Sequence, residues 1–346
     1  MTTNQPLIRF SVIGVNHFHV YGMINSLIKA GAEFVAVYNK ELDVLVKFIQ
    51  WYPQAKLVDN PQEILEDESI QLVVSAAIYS ERAPLGVEVM RHGKDFLSDK
   101  PGFTTLEQLA EVRQVQAETG RIYSICFSER FESPATVKAG ELVAQGRIGR
   151  VIHTLIVAPH RANVKIRPAW FFQREHNGGI LADIGSHQCD QFLFFTGSTS
   201  AEIATSAVAN YKHPQFPGFE DFGEMVLRGN NGNGYVRLDW YTPDGLSNWG
   251  DGRLFILGTE GYIEARKYVD IAGRPDTDHL FVVDQKSTEY INCKEVPLPY
   301  AGQLIYDVIN RTETAMSQTH CFLASELALK AEAQATRLTS SVGHRP

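Results

Sequence analysis

The chain has 346 residues, of which 44% are hydrophobic and 21% charged, the balance of a globular protein long enough for two domains. Its net charge of −8, from 32 basic and 40 acidic residues, excludes the strongly basic surface that nucleic acid or an anionic membrane would need. The sequence contains no apolar stretch of the roughly 20 residues that span a bilayer, and its first ten residues lack the pattern of a secretory signal.

The first third of the chain alternates short apolar runs with amphipathic segments. Strands are predicted at residues 8–14, 33–38, 70–76, 95–98 and 121–127. Helices are predicted between them at 18–30, 42–51, 61–67, 84–92 and 105–119. Alternating β and α units of this length predict an α/β domain with a doubly wound parallel sheet, over residues 1–126.

The pattern changes after residue 127. Helices are predicted at 133–145 and within 178–195, with a strand at 151–159 between them. Strand-like runs separated by turn residues follow from 201 to about 300, for example at 222–228, 235–241, 254–257, 262–265 and 280–283. A helical segment covers 303 to about 340. Residues 127–346 are therefore expected to form a second, α+β domain with a large, mostly antiparallel open sheet, and its C-terminal helix is placed to pack back on the first domain.

The turn after the first strand contains Gly14, Asn16, His17, Phe18 and His19. In this position, backbone amides and the helix dipole attract phosphate, and the usual dinucleotide fingerprint is G-x-G-x-x-G. Only Gly14 remains of the three glycines, while Asn16 tolerates left-handed backbone angles better than most residues. A turn without a ligand is equally compatible with these residues. Metal binding by His17 and His19 is disfavoured, since no third ligand lies near them in the sequence.

The second strand ends at Asn39 and Lys40, and its first carboxylate comes only with Glu41. An acidic residue there usually binds the ribose 2′-hydroxyl of NAD. A neutral Asn39 followed by Lys40 tolerates a 2′-phosphate better, so NADP has weight beside NAD, although Lys40 is equally a solvated surface lysine. Ala76, at the end of the third long strand, is a further candidate contact for the dinucleotide.

Asp99 and Lys100 follow a buried strand and precede Pro101. They lie at the carboxyl edge of the sheet, where α/β domains bind ligands. A partly buried lysine beside a cationic ring shares or gives up its proton more readily than an exposed one. By itself, a surface lysine in a turn is the simpler interpretation.

A glycine pair opens the helix that carries Asp183, His187 and Asp190. Asp183 and His187 are four residues apart and share a helix face, so the carboxylate can fix the imidazole tautomer and raise its basicity. This predicts an acid/base pair. A pair that only stabilises the helix and a divalent metal site that includes Asp190 are the alternatives, and metal ranks well below acid/base chemistry.

Three motifs in this order resemble the Gfo/Idh/MocA oxidoreductases: the β–α turn at Gly14, Asp99-Lys100-Pro101, and G-G-x-x-x-D-x-G-x-H-x-x-D at 178–190. The stretches 146–149 and 167–171 add to the likeness, which runs over nearly the whole chain. This chain departs from the family in its eroded glycine turn, which puts the type and affinity of the cofactor in question. It departs also in Asp99, where glutamate is commoner, but the charge is kept.

The resemblance implies an NAD- or NADP-binding Rossmann domain and a substrate domain whose open sheet forms a homodimer or homotetramer. It implies that Lys100 is the catalytic lysine and that Asp183 and His187 complete the catalytic set. The substrate class it implies is a sugar, a cyclic polyol or a derivative. The four cysteines lie far apart without a C-x-x-C pair, which favours free thiols in a reducing compartment and a cytoplasmic protein.

The resulting hypothesis is hydride transfer between nicotinamide and a hydroxyl-bearing carbon. His187 accepts the hydroxyl proton, Asp183 holds its ring and Lys100 stabilises the alkoxide. Two alternatives remain: a lyase or epimerase that retains NAD and oxidises its substrate transiently, and a non-catalytic dinucleotide sensor. Candidate substrate-binding residues, each with an equally plausible packing role, are Arg161, Arg167 and Trp170.

Overall fold

The structure is a computed structural model and describes residues 7–339. Its contacts divide the chain into two compact units. The first contains the described residues up to Cys126 together with Pro299–Phe322. The second contains Phe127–Leu298 together with the described residues from Leu323 onwards.

Six strands and five helices alternate between residue 7 and Cys126. The strands are β1 (Arg9–Ile13), β2 (Glu33–Tyr38), β3 (Lys56–Leu57), β4 (Leu72–Ser75), β5 (Asp95–Asp99) and β6 (Tyr123–Cys126). The helices are α1 (Val20–Lys29), α2 (Leu42–Ile49), α3 (Gln62–Leu65), α4 (Tyr79–Arg91) and α5 (Leu106–Thr119). Every long element that the sequence pattern predicts in this region is present, and the two-residue strand β3 is an addition.

The first sheet is parallel throughout, in the order β3-β2-β1-β4-β5-β6. The predicted doubly wound fold is therefore confirmed. The strand order reverses between β1 and β4, because β2 and β3 are added on one side of β1 whereas β4, β5 and β6 are added on the other. Ligands of such sheets bind at that switch point, beyond the carboxyl ends of the strands. The turn at Gly14 follows β1, and the segment at Ala76 follows β4.

Helix α4 begins at Tyr79, five residues before the predicted start at Pro84. Proline is common in a first helical turn, so the sequence pattern favoured Pro84 as the first residue. Inside a helix, proline leaves the carbonyl four residues earlier without its amide partner. Here the side chain of Gln108 supplies that partner, since its Nε2 donates to the Ser80 carbonyl at 2.9 Å.

The rest of the chain contains the nine further strands and six further helices of the described residues. The strands are β7 (Val151–Pro159), β8 (Ala201–Ala209), β9 (Phe222–Gly229), β10 (Asn233–Asp239), β11 (Arg253–Gly258), β12 (Gly261–Arg266), β13 (His279–Asp284), β14 (Thr288–Asn292) and β15 (Thr336–Arg337). The helices are α6 (Ser128–Phe131), α7 (Pro134–Ala144), α8 (Arg174–Asn177), α9 (Ile180–Thr196), α10 (Tyr300–Asn310) and α11 (Gln318–Ala333).

The second sheet has the order β14-β13-β12-β11-β7-β10-β9-β8-β15. Two of its pairings, β7 with β10 and β8 with β15, are parallel, and the others are antiparallel. The predicted large, mostly antiparallel sheet is thus confirmed. Helix α9 packs on β7, β9 and β10, and α7 packs on β12 and β13. These helices cover one face of the sheet and bury residues such as Ile156, Val236 and Leu254.

The C-terminal segment is not the continuous helix that its composition predicts. It breaks at Arg311, which has a left-handed φ of 56°, and resumes in α11. The carboxylate of Asp307 stabilises the break, because it accepts hydrogen bonds from Thr312, Thr314 and Ala315 at 2.6–2.8 Å. The predicted end of the segment at residue 340 lies outside the described residues. Within residues 7–339, no helix is long and apolar enough to cross a membrane.

Candidate functional site

Gly14 is the one glycine of the fingerprint that the turn after β1 requires. Its φ is +87°, and a Cβ atom there would lie 2.5 Å from the Cβ of Ala77. Two backbone bonds join the turn to β4, since Ala76 N donates to Gly14 O and His17 N to Ala76 O, both at 2.9 Å. Only glycine meets both the positive φ and the close approach. Asn16 is not among the described residues with positive φ, so the turn does not use the left-handed backbone angles that asparagine tolerates.

A carboxylate, Asp99, holds the two histidines of this turn. His17 Nδ1 lies 2.7 Å from one carboxylate oxygen of Asp99, and His19 Nδ1 lies 2.9 Å from the other. The backbone N–H of Lys100 donates to the same group at 2.8 Å, and Arg82 donates at 3.1 Å. The histidines are 80 or more residues from Asp99 in sequence, so only the parallel order of β1, β4 and β5 brings them together.

The charges of this cluster follow from its burial. Burial, with the neighbouring His19, lowers the pKa of His17 well below its usual value. Burial would raise the pKa of Asp99, but His19, Arg82 and His17 outweigh it and hold that pKa well below its usual value. An ionised Asp99 only accepts hydrogen bonds, so a neutral His17 donates through Nδ1 and presents Nε2 as an acceptor.

The ligand atoms of His17, His19 and Asp99 lie within 4.8 Å of one another, a spacing that a metal ion could bridge. Sequence reasoning lacked Asp99 as the third member of this group. The same carboxylate is already bound by the fully buried guanidinium of Arg82 and by the Lys100 amide, so its charge and lone pairs are in use. We therefore interpret the group as a hydrogen-bonded cluster that positions the turn.

Arg82 joins the turn after β4 to the segment after β5. Its Nε donates to Ala77 O at 2.8 Å, and its Nη1 donates to the carbonyls of Lys100 and Pro101. Lys100 itself is buried, with 3% of its surface exposed, at the carboxyl edge of the sheet as predicted. Sequence reasoning missed Arg82, because it precedes the predicted helix at 84–92, where a lone arginine has the pattern of a surface residue.

The end of β2 places a carboxylate beside the Gly14 turn. Asn39 is buried and accepts a hydrogen bond from Val15 N at 2.8 Å, while its amide donates to the carboxylate of Glu41 at 3.1 Å. Asn16 donates to the same Glu41 oxygen at 3.0 Å. Lys40 has a side chain 74% exposed, and its ammonium lies 3.8 Å from Glu81. Asn39 therefore holds the turn, and the charge that adjoins the turn is the carboxylate of Glu41.

Phe18 and Ala76 are the other two candidate cofactor contacts. Phe18 is 63% exposed, and its ring centroid is 4.6 Å from those of His17 and His19. Ala76 is fully buried at the end of β4, where its backbone binds the turn. Phe18 thus offers an exposed aromatic face at the turn, whereas Ala76 shapes it.

In the second unit, Asp183 and His187 lie on α9, and both are buried, with 3% and 2% of their surfaces exposed. The predicted helical spacing is therefore present. Gly179 directly precedes the helix with a φ of +97°. Only glycine fits there, because a Cβ atom would overlap the Arg174 guanidinium and the Glu332 carboxylate. Glu332 accepts a hydrogen bond from the Leu181 amide at 3.0 Å, so a carboxylate satisfies the first turn of the helix.

Asp190 is part of a different interaction on α9. Arg130 binds both of its carboxylate oxygens at 2.7 Å, and the pair is almost fully buried. A bidentate guanidinium leaves little of the carboxylate for a metal ion. The geometry therefore favours the acid/base interpretation of Asp183 and His187 over the metal site that includes Asp190.

The three candidate substrate-binding residues lie in the second unit with structural contacts of their own. Arg161 Nη2 donates to the carbonyls of three residues in the loop 243–248, at 2.7–2.9 Å. The Arg167 guanidinium lies over the rings of Phe171 and Trp240, at 4.3 and 5.1 Å. Trp170 is partly exposed in the 3-10 turn Ala169–Phe172. Their role toward a substrate stays a prediction.

Several polar and aromatic residues near α9 carried no sequence signal. Lys267 is fully buried and donates to Glu129 at 2.7 Å. The ring of Trp249, 39% exposed, lies 4.6 Å from that of His160 and 4.4 Å from that of Tyr268. A buried lysine becomes recognisable only when the fold shows its counter-charge.

Comparison with known proteins gives two matching family models. Residues 8–127 match the oxidoreductase family model with an NAD-binding Rossmann fold, and residues 136–264 match the GFO/IDH/MocA C-terminal domain. The chain is 26% identical to the scyllo-inositol 2-dehydrogenase (NAD(+)) of Bacillus subtilis, over 74% of this chain and 73% of that protein. It is 24% identical to the 1,5-anhydro-D-fructose reductase of Ensifer adhaerens, over 90% and 87% of the two chains.

A solved structure is more similar still. The crystal structure of a protein named as an oxidoreductase from Erwinia carotovora atroseptica SCRI1043 is 46% identical to this chain, with a TM-score of 0.93. The match covers 96% of this chain and all of that one. The architecture of both units therefore recurs in a relative over its whole length.

Proposed function

Because the chain belongs to the Gfo/Idh/MocA family of oxidoreductases, we propose that it transfers a hydride between NAD and a hydroxyl-bearing carbon of a sugar, cyclic polyol or derivative. The observation that carries this proposal is the Gly14 turn at the switch point of the first sheet, with Asp99 and Lys100 at the same carboxyl edge. Relatives named for inositol and anhydrofructose substrates support the substrate class.

The residues of the turn fit a nicotinamide dinucleotide. Gly14 has no side chain where the backbone must be approached closely, and α1 begins directly after the turn, so its amides and dipole favour the pyrophosphate. Phe18 offers an exposed ring for stacking. When bound, the nicotinamide supplies a hydride acceptor or donor at its C4 atom.

We propose NAD rather than NADP as the preferred cofactor. The carboxylate of Glu41, bound by Asn16 and Asn39, adjoins the phosphate-binding turn, where a ribose diol is bound in Rossmann domains. A carboxylate accepts hydrogen bonds from a 2′-hydroxyl and repels a 2′-phosphate. The sequence favoured NADP because of Asn39 and Lys40. In the structure, Asn39 is bound to the turn, and the Lys40 ammonium is directed to Glu81.

We propose catalytic roles for Lys100, Asp183 and His187. His187 takes the hydroxyl proton of the substrate, and Asp183, on the same face of α9, orients its imidazole. The ammonium of Lys100 stabilises the alkoxide oxygen as the carbon loses its hydride. Arg161, Arg167 and Trp170 are proposed to bind the substrate, Trp170 by stacking against its C–H face.

The open face of the second sheet is proposed to join copies of the chain into a homodimer or homotetramer. Alternate residues of the central strands point away from α9 and α7, and they are only partly buried in this chain. They include Leu155, Val157, Val226, Tyr235, Phe255 and Tyr262. An apolar face of this size is a frequent subunit interface.

The four cysteines are buried thiols without disulfides, which supports the proposal of a cytoplasmic protein.

The test is a kinetic assay with NAD and NADP against a panel of inositols, aldoses and anhydro sugars, in which the absorbance of the reduced cofactor is measured over time. The proposal expects net reduction of NAD with at least one of them. Product formation without net reduction would instead favour transient oxidation. Dinucleotide binding without turnover of any compound in the panel would favour a sensor.

A further inference from the structure

Lys267 is a cation enclosed by the second unit. It follows β12, has none of its surface exposed, and donates to Glu129 Oε2 and Gln191 Oε1, both at 2.7 Å. Glu129 lies in α6, and Gln191 lies in α9. A buried charge is costly unless it is paired and hydrogen-bonded, so this arrangement needs all three side chains.

The same group reaches the helix turn that carries His187. Gln191 is one turn after His187, and its Nε2 donates to the His187 carbonyl at 3.2 Å and to Gln188 Oε1 at 2.8 Å. The imidazole of His187 lies against the ring of Phe127, which directly precedes α6, with centroids 6.2 Å apart. Helix α6 therefore packs beside the part of α9 where the proposed base lies.

Glu129 uses only one of its two carboxylate oxygens. Oε2 binds Lys267, whereas Oε1 is buried and has no hydrogen-bond partner among the described residues. Burial would raise the pKa of Glu129, but Lys267, His187 and His160 outweigh it and lower that pKa, so the group is ionised. A buried carboxylate oxygen without a donor is unfavourable. A role for the negative charge of Glu129 in stabilising the imidazoles of His187 and His160 would explain the unpaired oxygen.

Several charged groups on the elements around α9 have partners of their own. They include Arg130 with Asp190, Arg237 with Asp239, and Glu224, which accepts a hydrogen bond from Tyr235. Asp183 lies on the same helix as His187, and Glu129 of α6 interacts electrostatically with both His187 and His160. Lys267 and Tyr268, which follow β12, interact with Glu129.

We propose that Glu129, kept ionised by Lys267, is a positioning residue for His187 that stabilises the imidazolium formed when His187 accepts the substrate proton. This inference rests on the proposed function, because His187 is the base only in that reaction. Asp183 and Glu129 then act on the imidazole from two different helices. The carbinol carbon of the substrate gives its hydride to NAD and becomes a carbonyl carbon, while the hydroxyl proton goes to His187. Glu129 offsets the positive charge that His187 gains.

The test is Glu129→Gln, which removes the charge, keeps the shape and leaves an amide oxygen to accept from Lys267. The pKa of His187 is followed by NMR in full-length protein labelled at histidine, with its signal assigned by loss in His187→Gln among the 11 histidines. Loss of the anion should lower the His187 pKa by about one unit, a typical effect of one nearby charge. In turnover in the oxidation direction, the acidic limb of the pH profile should move about one unit to lower pH, because His187 must be unprotonated to accept the substrate proton. The value of kcat should fall about tenfold with little change in KM.

The matched control is Asp190→Asn, which removes a buried carboxylate from another ion pair beside α9 and should leave the His187 pKa in place. An unchanged His187 pKa in Glu129→Gln, or an equal shift in the control, would overturn the proposal. If Glu129→Gln does not fold, Glu129→Asp displaces the charge instead, and it must shift the His187 pKa in the same direction by a smaller amount. The NMR result decides the role of Glu129 even if no sugar is turned over, so its failure is distinct from failure of the proposed reaction.

Discussion

Asp99 in the first unit and Glu129 in the second are both buried carboxylates beside histidines, yet their surroundings differ. Asp99 accepts hydrogen bonds from His17, His19, Arg82 and the Lys100 amide, so both of its oxygens are occupied. Glu129 has one oxygen on Lys267 and one without a partner among the described residues. A fully bound carboxylate fixes geometry, whereas a partly bound one keeps its charge available. The first therefore positions the turn proposed to bind the cofactor, and the second is suited to act on the imidazole of His187, the proposed base.

The largest effects on turnover are expected from substitutions of the proposed catalytic residue in each unit. Lys100→Ala and His187→Gln should each lower kcat by about 10³-fold, within the range that positioned acid/base and charge-stabilising groups contribute. NAD affinity, measured by calorimetry, should change little in His187→Gln. His153→Gln, a partly buried histidine on β7, is the control and should retain activity. If neither variant loses turnover, the two regions do not form the catalytic machinery proposed here.

Asp99→Asn tests the role of the fully bound carboxylate. It leaves the fully buried Arg82 without its counter-charge, and breaking a buried pair costs about 3–5 kcal/mol of unfolding free energy. Urea denaturation should therefore show a clear fall in the midpoint. Asp43→Asn, at an exposed position on α2, should leave the midpoint nearly unchanged. A stable Asp99→Asn protein would mean that the cluster does not hold the turn.

Glu332→Gln extends the contrast to a third buried carboxylate. Burial and the nearby Glu220, partly offset by Arg174, raise the pKa of Glu332 from 4.5 to about 7. The folded state therefore binds more protons than the unfolded state between those pH values, and stability falls as pH rises from 4.5 through 7. The substitution removes this penalty in unfolding free energy, which is about 3–4 kcal/mol above pH 7 at roughly 1.4 kcal/mol per pKa unit.

The amide oxygen that this substitution introduces can still accept from the Leu181 amide. Thermal unfolding should therefore give a higher Tm than the wild type at about pH 8 and a similar Tm at about pH 5. An equal Tm difference at both pH values would show that the charge of Glu332 is not what limits stability.

The smallest effect is expected at the end of β2. Glu41→Ser removes the carboxylate that adjoins the turn and should shift the ratio of kcat/KM for NADP over NAD upwards by about tenfold, the worth of roughly 1.4 kcal/mol. Lys40→Ala separates the two interpretations of this segment. A marked loss of NADP activity in that variant, with no effect of Glu41→Ser, would restore Lys40 as the determinant of cofactor type.

Local pattern predicted the elements better than their ends. The apolar runs of β1, β2, β4 and β5 and the period of their helices indicated the parallel sheet, because a strand buried on both faces must be apolar. The start of α4 was missed because the bond that replaces the one lost at Pro84 comes from Gln108, in another helix. The break after α10 was missed because Asp307 satisfies it through residues that follow the helix.

Sequence pattern was enough to predict the order of the two domains, the Gly14 turn between the first strand and the first helix, and Lys100, Asp183 and His187 as candidate residues, because each depends on neighbours a few residues away. Which charges share one place became visible only in the folded chain. Asp99 meets His17 and His19 from a different strand, Glu41 reaches the turn through Asn16 and Asn39, and Lys267 reaches Glu129 across 138 residues. Burial makes each of these charges depend on its partners, and the fold brings those partners from distant parts of the chain.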